Sequence, residues 1–192
     1  MLKGLAMNIR FLAAATVGLA FAVAPAAALA SDGGITVQDR CDHDSFTAAG
    51  IDCARPADDG GGAVTIDELF ATVAATRAHP KWRFKEDKVT LRAGQPLNVT
   101  MDRGGEFHTV TEVAQFGHGC VPPLNALVFP GENPEDIPAA CATTLVPRIF
   151  DPSGQGTGIL PGQSFSYAGL SKGTHRFQCM IHPWMKSTVT VT

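Results

Sequence analysis

The chain has 192 residues, a formal net charge of −3, and a composition of 45% hydrophobic and 17% charged residues. These values are typical of a globular protein, and they exclude the strongly basic surface that a nucleic-acid partner would need. The five cysteines are an odd number, so in an oxidising compartment at least one of them stays outside an intramolecular disulfide.

Residues 1–30 are predicted to be a signal peptide. An apolar run over residues 11–23 follows two basic side chains, and small residues precede the predicted cleavage site before Ser31. The run is too short for a comfortable membrane span. We therefore expect export to the periplasm without stable membrane insertion after cleavage, and an uncleaved anchor is the alternative.

Residues 31–80 are predicted to be an acidic N-terminal extension with one helix, because they contain nine acidic residues and three arginines. Thr65 and Glu68 form a capping box at the start of this helix. Its apolar face consists of Ile66, Leu69, Phe70, Val73 and Ala74. The helix is therefore expected to pack on the rest of the protein, and the acidic surface suits a basic partner such as a cytochrome c.

Residues 81–192 alternate short β-branched runs with turn residues. The predicted strands lie in the segments KVTL, LNVTM, FHTVTEV, LPGQSFSYAGL, GTHRFQC and STVTVT. Their regular spacing indicates a mainly β fold, either an antiparallel sandwich or a barrel. Residues 114–147 contain six prolines and two cysteines, and they are predicted to form a long loop insertion between strands.

Four of the cysteines bracket two loops. Cys41 and Cys53 enclose a short loop, and Cys120 and Cys141 enclose a Pro-rich one. We predict these two disulfides, which leaves Cys179 as the free thiol, although other connectivities also fit the sequence.

The segment CMIHPWM places three soft or borderline metal ligands, Cys179, His182 and Met185, within seven residues. Together with a second histidine they make the trigonal His₂Cys site with a weak axial Met that binds copper. His108 is the predicted second histidine, since it precedes an alternating run on another strand. Zinc fits less well, because it rarely takes Met and a closed zinc site uses more thiolates. The other histidines are His43, His79, His118 and His175.

The segments FHTVT and LPGQSFSYAGLSKGTHRFQCMIHPWMKSTVTVT resemble the cupredoxins, the type 1 blue copper proteins. The two-residue gaps in the ligand loop are most similar to the amicyanin-like members, and the surrounding pattern is also similar to the plastocyanin-like ones. The resemblance implies a Greek-key β-sandwich that carries electrons between larger proteins. It also implies a single type 1 copper ion, with the ligands His108, Cys179, His182 and Met185.

The chain departs from that family pattern in three ways. Thr109 stands where many members have Asn, so we expect the hydrogen bond that holds the cysteine loop to come from elsewhere. His175 stands where an aromatic residue is usual. The acidic extension and the insertion have no counterpart in small members of the family. Pro183 and Trp184 flank His182, and two roles fit them: local packing that stiffens the loop, and an apolar surface patch through which the imidazole edge meets a redox partner.

The expected function is single-electron transfer between protein redox partners, such as a cytochrome c or a dehydrogenase. The sequence has no acid–base pair or activated nucleophile, so we do not expect an enzyme. The alternative is a periplasmic copper-binding protein for copper delivery or sequestration. Gln178 and Met180 stand where a multicopper oxidase has histidines, which argues against an adjacent copper cluster.

Overall fold

The computed structural model describes residues 33–54, 62–151 and 154–192. The predicted signal peptide lies outside these residues. In chain order the strands are β1 (Gly34–Gln38), β2 (Arg83–Phe84), β3 (Lys88–Leu91), β4 (Leu97–Thr100), β5 (His108–Thr109), β6 (Thr111–Val113), β7 (Gly158–Ile159), β8 (Ser164–Tyr167), β9 (Gly173–Gln178) and β10 (Lys186–Val191). The helices are α1 (His43–Ala48), α2 (Ile66–Thr76), α3 (Pro122–Val128) and α4 (Cys141–Thr144), with a 3₁₀ turn at Arg148–Phe150. The protein is mainly β with a few helices, as predicted.

Two four-stranded sheets form the body of the protein. One has the order β2-β1-β4-β8, the other has the order β3-β10-β9-β6, and β5 pairs with β7 in a small third sheet. The sheets are mixed rather than purely antiparallel, because β1 runs parallel to β4 and β3 runs parallel to β10. The expected antiparallel pairing is present in the other strand pairs and was wrong for these two. It failed because strands distant in sequence enter the sheets in the same direction.

The hydrophobic core contains residues of both large sheets. Along β3 and β10, exposed or partly buried residues alternate with buried ones, as a strand with one face in a core requires. Val189 and Val191 of β10 are buried, as is Phe177 of β9. These residues belong to one cluster with Ile35, Val37, Leu97 and Val99 of the other sheet. At the end of β9 the alternation stops, because Phe177 and Gln178 are both buried, and Cys179, which follows the strand, is buried as well.

The N-terminal segment is part of this cluster through α1 and α2. Helix α2 begins after Thr65, whose hydroxyl accepts a hydrogen bond from the Glu68 N–H at 3.2 Å. Phe46 of α1 is fully buried and stacks on Trp82, with the ring centroids 6.0 Å apart. Strand β1 and α1 are elements that the sequence pattern did not predict, and β1 is an integral strand of one sheet.

Both predicted disulfides are present. Cys41 pairs with Cys53 in the N-terminal segment, and Cys120 pairs with Cys141 in the insertion. Cys179 is the free cysteine among the described residues. The disulfides therefore brace two loops and leave the thiol near the chain end available for other chemistry.

The insertion is fastened to the residue that follows Cys179. The Cys120 N–H donates to the Met180 carbonyl at 2.5 Å, and the buried Asn125 side chain bonds both the N–H and the carbonyl of Gly119. The Gln178 side chain bonds Gly117 in the same way. The insertion thus packs against the end of β9 and restrains it.

Among the described residues, no helix has the length and apolar character that crossing a membrane requires.

Truncating Phe46 tests whether the N-terminal segment contributes to the core. We expect Phe46→Ala to lower the free energy of unfolding by about 3–5 kcal/mol, because it removes a fully buried ring and leaves a cavity. Urea denaturation of the disulfide-bonded protein measures this change. Phe150, which is 67% exposed, is the matched control, and Phe150→Ala is expected to change stability by about 0.5 kcal/mol at most. Equal effects of the two variants would contradict the packing described here.

Candidate metal centre

The predicted metal ligands come from two places in the fold. Cys179 directly follows β9, and His182 and Met185 lie in the loop between β9 and β10. The Cys179 N–H donates to the Met185 carbonyl at 3.0 Å, and the Met185 N–H donates to the His182 carbonyl at 2.9 Å. Two antiparallel strands therefore hold the loop at both ends, and backbone hydrogen bonds close it. His108 begins β5 and reaches the loop from the other side.

Three of the four predicted ligands converge. The Nδ1 atoms of His108 and His182 lie 3.2 Å apart. The Cys179 Sγ lies 3.7 Å from the first of these nitrogens and 3.8 Å from the second. All three side chains are buried, with 2% exposure or less. Cys179 and His182 are three positions apart in one loop, whereas His108 lies 71 positions before Cys179. The structure therefore brings one sulfur and two nitrogens together from distant parts of the sequence.

The separations between these atoms match the size of a metal ion. The point in their plane that is equidistant from all three lies about 2.1 Å from each atom, within the range of about 2.0–2.3 Å for bonds of His and Cys to zinc. Imidazole nitrogen and thiolate sulfur also suit copper. The donor set thus fits the single copper ion that the sequence resemblance implies.

Met185 is buried beside this cluster, with 1% exposure. Its main chain closes the loop through the two hydrogen bonds described above. A thioether is a weak ligand that copper sites use in an axial position. The axial role of Met185 remains a prediction.

Backbone N–H groups face the Cys179 sulfur. The Thr109 and His182 N–H groups both donate to Sγ at 3.5 Å. Burial alone would raise the pKa of the Cys179 thiol, but the hydrogen bond and the charge of His108, together with these N–H groups, lower the pKa overall. The surroundings therefore favour the thiolate, which is the form that binds metal.

Thr109 itself holds the cysteine loop. Its hydroxyl oxygen accepts a hydrogen bond from the Met180 N–H at 2.8 Å, and the Thr111 hydroxyl donates to it at 3.1 Å. The expectation that this support would come from elsewhere was wrong. A threonine hydroxyl accepts a hydrogen bond as an asparagine carbonyl does, so it supplies the bond at this position.

The second nitrogen of His108 is engaged by Asp39, a residue that the sequence analysis did not single out. Asp39 Oδ2 lies 2.8 Å from His108 Nε2, and both side chains are fully buried. Burial alone would lower the pKa of His108, but the hydrogen bonds to Asp39 and Cys179 raise it to about 10. The metal-free protein therefore keeps a positive charge on His108 at neutral pH.

A second buried carboxyl group, that of Glu106, lies beside the histidines. Glu106 Oε2 is 3.8 Å from His182 Nε2 and accepts a hydrogen bond from Trp82 Nε1 at 2.5 Å. Burial raises the pKa of Glu106 to about 7. The pKa of His182 is well below its ordinary value, because the ring is buried and lies near the charge of His108. His182 is thus a neutral imidazole with a lone pair available for metal.

The expectation that the His182 edge reaches the surface was wrong, since this side chain is only 2% exposed. The Trp184 ring packs edge-on against it, with the centroids 5.2 Å apart. Trp184 Nε1 donates to the Trp82 carbonyl at 3.0 Å. Trp82 stacks in turn on Phe46 of the N-terminal segment, so this segment supports the aromatic residues beside the ligand loop.

The other histidines lie outside the converging cluster. His43 bonds the Cys53 carbonyl, and His79 packs edge-on against Trp82. His118 lies 3.1 Å from Glu132 within the insertion, and His175 pairs with Glu112 at 2.6 Å. Each of these side chains therefore has a local structural partner.

Solved structures are similar to this chain, at low sequence identity. No protein-family model matches the chain, and no curated protein matches it. A purple cupredoxin from Nitrosopumilus maritimus is similar in structure, with 16% identity, coverage of 59% of this chain and 86% of that one, and a TM-score of 0.35. Plastocyanin from Dryopteris crassirhizoma matches with 22% identity, 58% and 89% coverage, and a TM-score of 0.33. Amicyanin from Paracoccus versutus matches with 17% identity, 60% and 77% coverage, and a TM-score of 0.32.

These solved structures are cupredoxins, the family that the sequence segments resemble. The predicted resemblance is confirmed to that extent.

The raised pKa of Glu106 predicts a pH dependence of stability in the metal-free protein. The folded state binds this proton more tightly than the unfolded state, so the stabilisation is complete below pH 4.5 and is lost as the pH rises to about 7. The loss amounts to about 3 kcal/mol. Glu106→Gln cannot titrate, so we expect the difference in unfolding free energy between the two proteins to change by this amount across that range.

Urea denaturation at several pH values between 4 and 8 measures the difference. Other groups titrate in the same range, and subtracting the variant from the wild type removes their contribution. A difference that stays constant with pH would contradict the assignment.

Proposed function

We propose that the chain is an exported type 1 copper protein with a Greek-key β-sandwich fold, and that it carries single electrons between protein redox partners. The observation that carries this proposal is the convergence of one sulfur and two imidazole nitrogens in a buried site. The proposed ligands are His108, Cys179, His182 and Met185. The copper would alternate between Cu(II), which accepts one electron from a donor, and Cu(I), which gives it to an acceptor.

The chemistry of the donor set supports copper. One thiolate and two imidazoles in a trigonal arrangement, with a thioether near by, form the ligand set of type 1 copper sites. Zinc accepts Cys and His as well, but structural zinc sites use four such ligands. Among the described residues, the buried group around Cys179 contains only one thiol and two histidines within mutual reach.

The restraint of the ligands supports electron transfer. Asp39 holds the His108 ring, two N–H groups face the Cys179 sulfur, and backbone hydrogen bonds close the loop around His182. Ligands that are fixed in this way move little when the metal changes its charge. Small rearrangement favours rapid gain and loss of one electron.

The alternative function is a periplasmic copper-binding protein that sequesters or delivers the metal. The burial of His182 beside Trp184 favours sequestration, because a buried imidazole is not directly accessible to a partner. It argues against delivery, since a ligand that hands over metal must become accessible. Protein partners such as a cytochrome c or a dehydrogenase would dock near the partly buried Trp184, which lies against the His182 ring.

Loading the protein with Cu(II) and recording its visible spectrum tests the proposal. We expect an intense thiolate-to-copper charge-transfer band, because the Cys179 sulfur would bind the ion directly. Cys179→Ser is expected to lose this band. Met180→Leu is the matched control, because it changes the neighbouring buried sulfur residue while conserving volume, and it should keep the band.

Repeated chemical reduction and reoxidation then separates electron transfer from copper delivery. An electron carrier keeps its copper and recovers the full band in every cycle, whereas a delivery protein loses Cu(I) to a chelator. A colourless protein that prefers zinc to copper would contradict both functions.

A further inference from the structure

The N-terminal segment delivers a buried carboxylate to the metal centre. Asp39 follows the last residue of β1, and β1 is fixed between β2 and β4 in its sheet. The resemblance to cupredoxins starts far beyond this residue, so it assigns Asp39 no role. The position of Asp39 is therefore a property of this chain's own N-terminal part.

Backbone N–H groups fix the Asp39 carboxylate. Oδ1 accepts hydrogen bonds from the Gly105 N–H at 2.8 Å and from the Cys41 N–H at 3.4 Å. Oδ2 accepts from the Glu106 N–H at 3.2 Å and lies 2.8 Å from His108 Nε2. Three N–H donors and the imidazole thus surround a fully buried anion, and they leave it little freedom to rotate.

This arrangement determines which nitrogen of His108 faces the sulfur. A carboxylate oxygen accepts hydrogen bonds, so His108 Nε2 must carry the hydrogen that it donates. The lone pair on Nδ1 is then directed toward Cys179 and His182 once the metal replaces the Nδ1 proton. Carboxylates that orient a metal-binding histidine also increase its basicity.

The charge of Asp39 acts on the metal as well. Asp39 is buried, and a charge in a protein interior is screened less than one in water. The negative charge is transmitted through the His108 ring to the ligand atom. It stabilises a doubly charged ion more than a singly charged one.

We propose that Asp39 is a positioning residue for His108 and that its charge makes the site favour Cu(II) over Cu(I). This inference rests on the proposed copper-binding function. It assigns the N-terminal segment a role in setting the reduction potential.

The test compares Asp39→Asn with the wild type. Affinities for Cu(II) and Cu(I) are measured by competition with chelators of known affinity, and the reduction potential is measured directly. We expect the Cu(II) affinity to fall by about 10–100-fold and the Cu(I) affinity to fall less. The potential should rise by about 59 mV for each tenfold fall in the ratio of the Cu(II) affinity to the Cu(I) affinity. Asp102, an exposed aspartate, is the matched control, and Asp102→Asn should leave both affinities and the potential unchanged.

The outcomes separate this inference from the proposed function. If the wild type binds no copper, the proposed function fails. If the wild type shows the charge-transfer band and Asp39→Asn keeps the potential, the inference fails, even when both affinities fall equally, because an equal loss indicates a purely structural role.

A measurement on the wild type alone covers the case in which Asp39→Asn does not fold. Long-range ¹H–¹⁵N NMR of the Cu(I) protein is expected to show a hydrogen on His108 Nε2 and none on Nδ1. An Nε2–H whose proton resonance lacks the downfield shift of a hydrogen bond to a carboxylate would overturn the inference, whereas a hydrogen on Nδ1 would overturn ligation by His108 and with it the proposed function.

Discussion

Two imidazole nitrogens cannot lie 3.2 Å apart in a buried site with their lone pairs facing each other, unless the positive charge of a metal ion or of an N–H hydrogen lies between or beside them. In the metal-free protein the proton on His108 supplies that charge, and Asp39 and the Cys179 sulfur stabilise it. A metal ion supplies it in the proposed copper form. Much of the surrounding structure serves this requirement, because it fixes the carboxylate, the thiol and both rings around one point.

Two further parts of the chain enclose that point. The N-terminal segment contributes Asp39 and Phe46, and Phe46 stacks on Trp82, which bonds both Glu106 and Trp184 beside the ligand loop. The insertion bonds the Met180 carbonyl, directly after Cys179 at the end of β9. The ligand loop is therefore restrained from two directions and screened from solvent. This favours retention of the metal, and it makes the approach of a redox partner depend on side chains outside the ligand set.

The sequence predicted the features that depend on local pattern. Alternation in the last strands placed Val189 and Val191 in the core, and the spacing of Cys179 and His182 indicated the ligand loop. The residues that depend on distant contacts left no local signal. Asp39 lies 69 positions before His108, and Trp82 is 102 positions from Trp184, so neither contact follows from periodicity. The burial of His182 was missed for the same reason.

X-ray absorption at the copper edge of the Cu(II)-loaded protein tests the central claim most directly. The account predicts one sulfur and two imidazole nitrogens at about 2.0–2.3 Å from a single copper ion. A copper ion surrounded only by nitrogen and oxygen, with no short bond to sulfur, would contradict it.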